Sequence, residues 1–285
     1  MSPQDQPTDQ QEKPLEEQVL HRLSDRVSWI TLNRPEVRNA MTPDQRERVI
    51  ALLEEASASL EVGAVVLGAT GEGFCTGADL RAGTRRATPA RPEGAPERIV
   101  GETSRMIRRG AQRLVAAILD CEKPVVAAVN GTAAGIGAHM AFACDLVVAA
   151  REARFIEVFV RRGISPDGGG AYLLPRIVGL QKAKELVFFG DDLAAEEAQR
   201  LGLVNQVVGR EELEAAAAEL AGRLAAGPTK AISMAKWLLN RSLESDRRTA
   251  FDEESWAQEI VVSTSDAAEG MKAFAERREP KFRGF

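Results

Sequence analysis

The sequence predicts an α/β fold with a helical C-terminal region, on three observations. Short apolar runs of strand type alternate with helical stretches through the first two-thirds of the 285 residues, the pattern of βαβ units with right-handed crossovers. Several of these runs feed directly into glycine-rich turns. The last third reads as helix after helix, with one candidate strand at residues 204–208.

Composition bounds the function classes. Hydrophobic residues make up 44% and charged residues 28% of the chain, ordinary for a globular protein with a sizeable core. A net charge of -5 argues against nucleic acid as the partner, because counterion release needs a basic surface. No run approaches a membrane span and the N-terminus lacks a signal-peptide core, so a cytoplasmic protein with no membrane partner is expected. The three cysteines are odd in number and form no paired motif, which fits a reducing compartment. Two histidines, His21 and His139, are too few for a multi-histidine metal site, and no metal is expected.

Taken in order, residues 1–16 are polar and proline-rich and are expected to be a disordered tail. Residues 17–209 form the α/β core and 210–285 the helical region. Residues 19–23 and 27–32 read as a hairpin. Thr42 and Pro43 suit the N-cap and first position of a helix running to about residue 59. Residues 63–69 are a buried strand ending in a glycine-rich turn. Nine arginines and several prolines fall between Arg81 and Arg113, a surface loop leading into a helix from about residue 97 to 119. Residues 125–129 and 145–150 are buried strands, and 153–160 is expected to be extended. Helices are expected at 181–189, 194–201, 210–226, 228–243, 247–263 and 265–278.

The glycine turns decide the chemistry. Gly135-Ile136-Gly137 begins a dinucleotide fingerprint, but Met140 stands in place of its third glycine. No GK[ST] and no GxSxG occurs, so neither a P-loop nor a nucleophile elbow is present. What remains is three strand-to-helix turns, at residues 73–79, 131–139 and 163–170. Such turns leave backbone N–H groups free at a helix start and can hold a negative oxygen. The third turn brings Asp167.

Several segments together resemble the crotonase (enoyl-CoA hydratase/isomerase) superfamily. They are Arg34-Pro35-Glu36-Val37-Arg38-Asn39-Ala40-Met41, Gly73-Phe74-Cys75-Thr76-Gly77-Ala78-Asp79-Leu80 and the run from Lys123 to Gly131. Cys144-Asp145-Leu146, Ser165-Pro166-Asp167-Gly168-Gly169, the run from Ala198 to Val204 and the ending Arg278 to Gly284 complete the match. The resemblance implies a spiral of ββα turns with a C-terminal helical trimerisation region, assembled as a homotrimer or homohexamer. It also implies an acyl-CoA thioester substrate and no separate cofactor, coenzyme A being part of the substrate. The N–H groups of Ala78 and Ile136 would form the oxyanion hole. Arg38, Ala40, Ala78, Asp79 and Leu80 would line the substrate site, with Lys281 reaching a neighbouring subunit's coenzyme A.

The glutamate positions of the family's hydratases hold His139 and Phe159 here, so hydration in its usual form is in doubt. Glu157 shares a strand face with Phe159 if the segment is extended, and it could substitute only after a register shift. Asp167 matches the position where some isomerases of the family carry an acidic catalytic residue. The expected activity is double-bond isomerisation or atypical hydration of an enoyl-CoA, with Asp167 as principal acid/base and His139 assisting. A thioester or C–C hydrolase and a non-catalytic acyl-CoA binder are the alternatives.

Overall fold

The computed structural model describes residues 13–80, 92–96 and 99–285. A short helix, α1 (Leu15–Gln18), leads into the hairpin of β1 (Val19–Ser24) and β2 (Val27–Leu32). The expected tail thus gives way to helix at Leu15, while residues 1–12 lie outside the described residues. Asp25 and Arg26 make the hairpin turn with φ of 51° and 63°, the left-handed pair that a two-residue connection between right-twisted strands requires. Helix α2 (Pro43–Ala58) starts at the expected cap. Thr42 Oγ1 accepts from the Gln45 N–H at 3.2 Å and Gln45 Oε1 accepts from the Thr42 N–H at 3.0 Å, a reciprocal capping box.

Three successive ββα units follow. Strand β3 (Ala64–Ala69) turns into β4 (Gly73–Cys75), and the helices after it are α3 (Glu102–Arg109) and α4 (Ala111–Leu119). Strand β5 (Val125–Val129) turns into β6 (Thr132–Ala134) and helix α5 (Ile136–Ala143). Strand β7 (Leu146–Ala150) turns into β8 (Arg154–Ile156) and helix α6 (Gly170–Val178). Helix α7 (Leu180–Phe189), β9 (Asp192–Ala194), α8 (Ala195–Arg200) and β10 (Gln206–Val208) close the core. The five longer strands and β10 form one sheet in the order β1-β2-β3-β5-β7-β10, parallel except for the hairpin; the other short strands form a second, β4-β6-β8-β9.

Two expectations are corrected here. The helix expected over residues 97–119 is two helices broken at Gly110, where an added Cβ would lie 2.6 Å from the Met106 carbonyl oxygen. The extended segment expected over 153–160 stops at Ile156, and a 3-10 turn occupies Val160–Arg162. The arginine-rich loop expected from Arg81 falls largely on residues 81–91 and 97–98, outside the described residues.

The central strands β2, β3, β5 and β7 are buried on both faces, as parallel strands inside a sheet are. Ile30, Leu32, Val65, Leu67, Val125, Ala127, Val147 and Ala149 point to the main core under α2, α4 and α5. The alternate residues, among them Trp29, Val66, Val126 and Val148, pack under α9 (Leu213–Ala225). Leu213, Ala217, Ala221 and Ala225 give that helix its buried stripe at a spacing of one turn. So α9, placed in the helical region on sequence grounds, is a layer of the core. The chain leaves the core at α10 (Thr229–Ser242), α11 (Arg247–Val262) and α12 (Ser265–Glu276).

Lys236 pins α10 to the amino-terminal ends of the strands. Its ammonium, nearly buried, donates to Asp145 Oδ2 at 2.8 Å and to the carbonyls of Ile118 and Lys123 at 3.0 and 3.3 Å. Asp145 in turn accepts from the Val125 N–H at 2.7 Å. Lys236→Met leaves that carboxylate without its cation and is expected to cost about 3 kcal/mol in urea unfolding; a change within 0.5 kcal/mol, about the surface background, would show the pair to be dispensable.

Candidate functional site

The site is built where the short strands end. Asn39, buried and at φ 55°, holds the first wall. Its Oδ1 accepts from the Arg34 N–H at 2.8 Å, and its Nδ2 donates to the Thr70 and Gly73 carbonyls at 2.9 and 2.8 Å. Arg34 Nη1 donates to the Ala40 carbonyl at 3.0 Å and to Asp79 Oδ2 at 3.1 Å. The segment from Arg34 to Met41 is thereby tied to the turn after β4.

Met41 fixes which way Ala78 faces. Its N–H donates to the Gly77 carbonyl at 2.8 Å and its carbonyl accepts from the Asp79 N–H at 2.9 Å. In a parallel bridge of this kind the residue between those two partners turns its own N–H away. The exposed Ala78 therefore aims its N–H to the opposite side of the turn.

Ile136 is the first residue of α5, so its N–H has no partner within the helix. Gly135 enters the helix at φ 54° with its N–H given to the Ile156 carbonyl at 3.0 Å. A Cβ on Gly137 would lie 2.0 Å from the Cys75 carbonyl oxygen, and one on Gly77 3.6 Å from that of Ala134. Only glycine at 137 lets the start of α5 rest on the end of β4. The turn bearing Ala78 and the helix start bearing Ile136 are thus in direct contact.

Five of the substrate-site residues gather here. Arg38 is exposed and its carbonyl accepts from the Thr76 N–H at 3.3 Å. Ala40, Ala78 and Leu80 follow on the same edge, Leu80 exposed. The Asp79 carboxylate is buried against Arg34, and its N–H is given to the Met41 carbonyl. Lys281 is not brought to this end of its own chain. Its N–H is held by Glu269 Oε1 at 2.8 Å, and the neighbouring Gly284 rests on Arg26 and Thr229, beside the start of β2. Those contacts lie at the amino-terminal side of the sheet, whereas Ala78 and Ile136 lie beyond the carboxyl ends.

His139 is fully buried one turn into α5. Its Nε2 lies 3.1 and 3.3 Å from the two carboxylate oxygens of Glu157, itself buried. Phe159 stacks on the imidazole at 5.2 Å with an interplanar angle of 16°. Nδ1 has no hydrogen-bond partner among the described residues. A Cβ on Gly168 would lie 2.8 Å from Nδ1 and one on Gly170 2.2 Å from Nε2, so both glycines are there to let the turn close over the ring.

In an extended strand Glu157 would share a face with Phe159. Because the strand ends at Ile156, both residues instead reach His139, one by hydrogen bond and one by ring stacking. The available signal was a lone acid in the apolar run Phe155-Ile156-Glu157-Val158-Phe159, since a buried carboxylate needs a partner. Asp167, half-buried, precedes Gly168 in the turn that covers His139. Burial lifts its carboxyl above the usual aspartate range; His139 pulls it down and Glu157 pushes it up. Cys75 is buried at the end of β4 and its thiol is pushed up to about 11 by desolvation, which makes it packing rather than a nucleophile.

Known proteins are similar to this chain along nearly its whole length. The family model described as enoyl-CoA hydratase/isomerase matches residues 22–284. The 1,2-epoxyphenylacetyl-CoA isomerase of Escherichia coli is 35% identical, covering 93% of this chain and 98% of the relative. The short-chain-enoyl-CoA hydratase of Clostridium acetobutylicum is 37% identical over 94% of this chain and 97% of the relative. A crystal structure of an enoyl-CoA hydratase/isomerase from Cupriavidus metallidurans superposes with a TM-score of 0.83 at 34% identity, covering 94% and 97% of the two chains. With the ββα spiral and the two apposed turns already in place, the conclusion is that this chain belongs to the enoyl-CoA hydratase/isomerase family of enzymes, with the crotonase fold.

Proposed function

We propose that the chain moves a carbon–carbon double bond within an enoyl-CoA thioester, with Asp167 as the acid/base. One observation carries this reading over hydration. Of the positions that could transfer a proton, Phe159 has no ionisable group, His139 and Glu157 are sealed from solvent, and Asp167 alone is a partly open carboxyl. Adding water across a double bond needs one group to activate the water and another to protonate carbon. A single carboxylate suffices to lift a proton from one carbon and set it on another.

The steps balance without a co-reactant. Ionised Asp167 takes a proton from the carbon beside the thioester of a 3-enoyl-CoA, and the electron pair moves onto the thioester oxygen. The N–H groups of Ala78 and Ile136 hold that oxygen, aided by the positive end of α5. The double bond re-forms between C2 and C3 as Asp167 returns the proton to C4. The enzyme needs no cofactor beyond the coenzyme A of its substrate, whose phosphates the exposed Arg38 suits. The named activity of the Escherichia coli relative, an acyl-CoA isomerase, supports the same class.

Assembly as a homotrimer or homohexamer accounts for the apolar side chains that the C-terminal helices leave exposed, Trp256, Ile260, Met271 and Phe274 among them. It would also carry Lys281 to a neighbour's substrate. A cytoplasmic location fits three buried, unpaired cysteines.

Asp167→Asn is expected to lower turnover of a 3-enoyl-CoA by about 10²–10⁴ while leaving acyl-CoA binding intact by calorimetry; undiminished turnover removes Asp167 from the mechanism, and binding without turnover of any enoyl-CoA by the unaltered protein indicates a non-catalytic binder. Since the base must be ionised and burial raises its pKa, kcat/KM should fall on the acid side with a midpoint above the ordinary aspartate value of about 3.9. Gly137→Ala should push the start of α5 off Cys75 and cost about 10²–10³ in kcat, with helix content by circular dichroism unchanged.

A further inference from the structure

Helix α3 has an apolar side that the fold leaves uncovered. Given the helical repeat, Thr103, Met106 and Ile107 share one side of this short helix, and Arg105, Arg108 and Arg109 share the other. An amphipathic surface helix ordinarily packs such an apolar stripe into the core. Here no residue of α3 is buried, and Met106 is 65% exposed. Yet the apolar side is the one turned to the protein: the half-buried residues of the helix, Glu102 and Ile107, flank Met106 and Thr103 around its axis. The side chains between them stand over open space rather than over core. Ile99 and Val100, just before the helix, are exposed as well.

The end of α3 lies beside the candidate site. It breaks from α4 at Gly110, where an added Cβ would lie 2.6 Å from the Met106 carbonyl oxygen and 3.0 Å from Arg46 Nη1. The next residue, Ala111, meets the turn that carries Asp167. A Cβ on Gly168 would lie 3.3 Å from the Ala111 Cβ, and one on Gly169 3.1 Å from Val115 Cγ1. Helix α4 is thus a wall against that turn, and α3 continues the wall outward from the break. With the thioester carbon at Ala78 and Ile136 and C2 to C4 at Asp167, the carbons beyond C4 come to this wall.

We infer that α3 is a lid for the acyl chain, with Met106 and Ile107 as its contact residues, and that the site is built for enoyl thioesters whose chain extends beyond C4. The inference rests on the isomerase reading for where the carbons lie. Bound hydrocarbon supplies the apolar partner that the helix lacks, each buried methylene being worth about fourfold in affinity. The break at Gly110 lets α3 close on the chain without moving α4 off the Asp167 turn. A helix with no buried residue opens at little cost, so substrate enters readily. Arg105, Arg108 and Arg109 stay in water on the outer side.

Hydrogen exchange of the intact protein, read over residues 102–109, tests the lid without turnover. Saturating dodecanoyl-CoA should slow exchange there about tenfold, whereas saturating butanoyl-CoA, whose chain ends at C4, should not. In turnover, kcat/KM should be higher for a twelve-carbon than for a six-carbon 3-enoyl-CoA. Met106→Ser should cut that ratio about tenfold, and Arg105→Gln, on the outer side, should leave it as it is. Equal exchange with the two ligands, or a ratio that Met106→Ser does not move, overturns the lid. Slowing of the same amides without acyl-CoA, by anionic phospholipid vesicles or by raised protein concentration, also overturns it and gives this side of α3 to a membrane or to a second copy of the chain. If exchange slows as stated but no 3-enoyl-CoA is turned over, it is the isomerase reading that fails.

Discussion

Two backbone contacts organise the molecule. An added Cβ on Gly131 would lie 1.8 Å from the Glu72 carbonyl oxygen, and one on Gly137 2.0 Å from that of Cys75. No side chain can occupy such a position, so consecutive ββα units stack backbone on backbone through these glycines. That contact sets β6 directly beside β4 and seats the first turn of α5 on the strand before it. The turn bearing Ala78 and the helix start bearing Ile136 come from different units and are brought together by this contact. The oxyanion site proposed for this place would be a consequence of how the spiral stacks, and as rigid as the stacking itself.

The sequence was legible where a pattern had length. Five-residue and six-residue apolar strands, the Thr42 cap and the C-terminal helices all lie within a few residues of where periodicity puts them. The second sheet was not legible, because three-residue strands such as Gly73–Cys75 and Thr132–Ala134 are too short to show alternation and read as glycine turns. The break at Gly110 was hidden for a related reason: an isolated glycine in a helical pattern costs only about 1 kcal/mol. At the site, the positions of Ala78 and Ile136 could be marked from sequence because glycine turns and helix starts are backbone features. The partner of Glu157 could not, since it depends on where a strand ends, and the ion pair of Asp79 with Arg34 cannot be read from one motif alone.

The interior around His139 is arranged against water. An aromatic ring covers one face, two glycines bring the turn into contact, and the one charged neighbour is itself buried. In such a medium electrostatic interactions are strong and imperfect pairing is costly. The same dryness that strengthens the Glu157–His139 contact would make either group, left alone, a liability. Their hydrogen bond is therefore a condition of stability as well as a local bias on Asp167.

This pairing ties two positions into one electrostatic unit. A glutamate at position 139 would meet the carboxylate of Glu157 at hydrogen-bond distance in a space without solvent, and two such charges cannot both ionise there. Phe159 would still deny the site its other acid. Position 139 therefore tolerates an acid only if position 157 gives one up, and the two must be changed together when this buried site is redesigned.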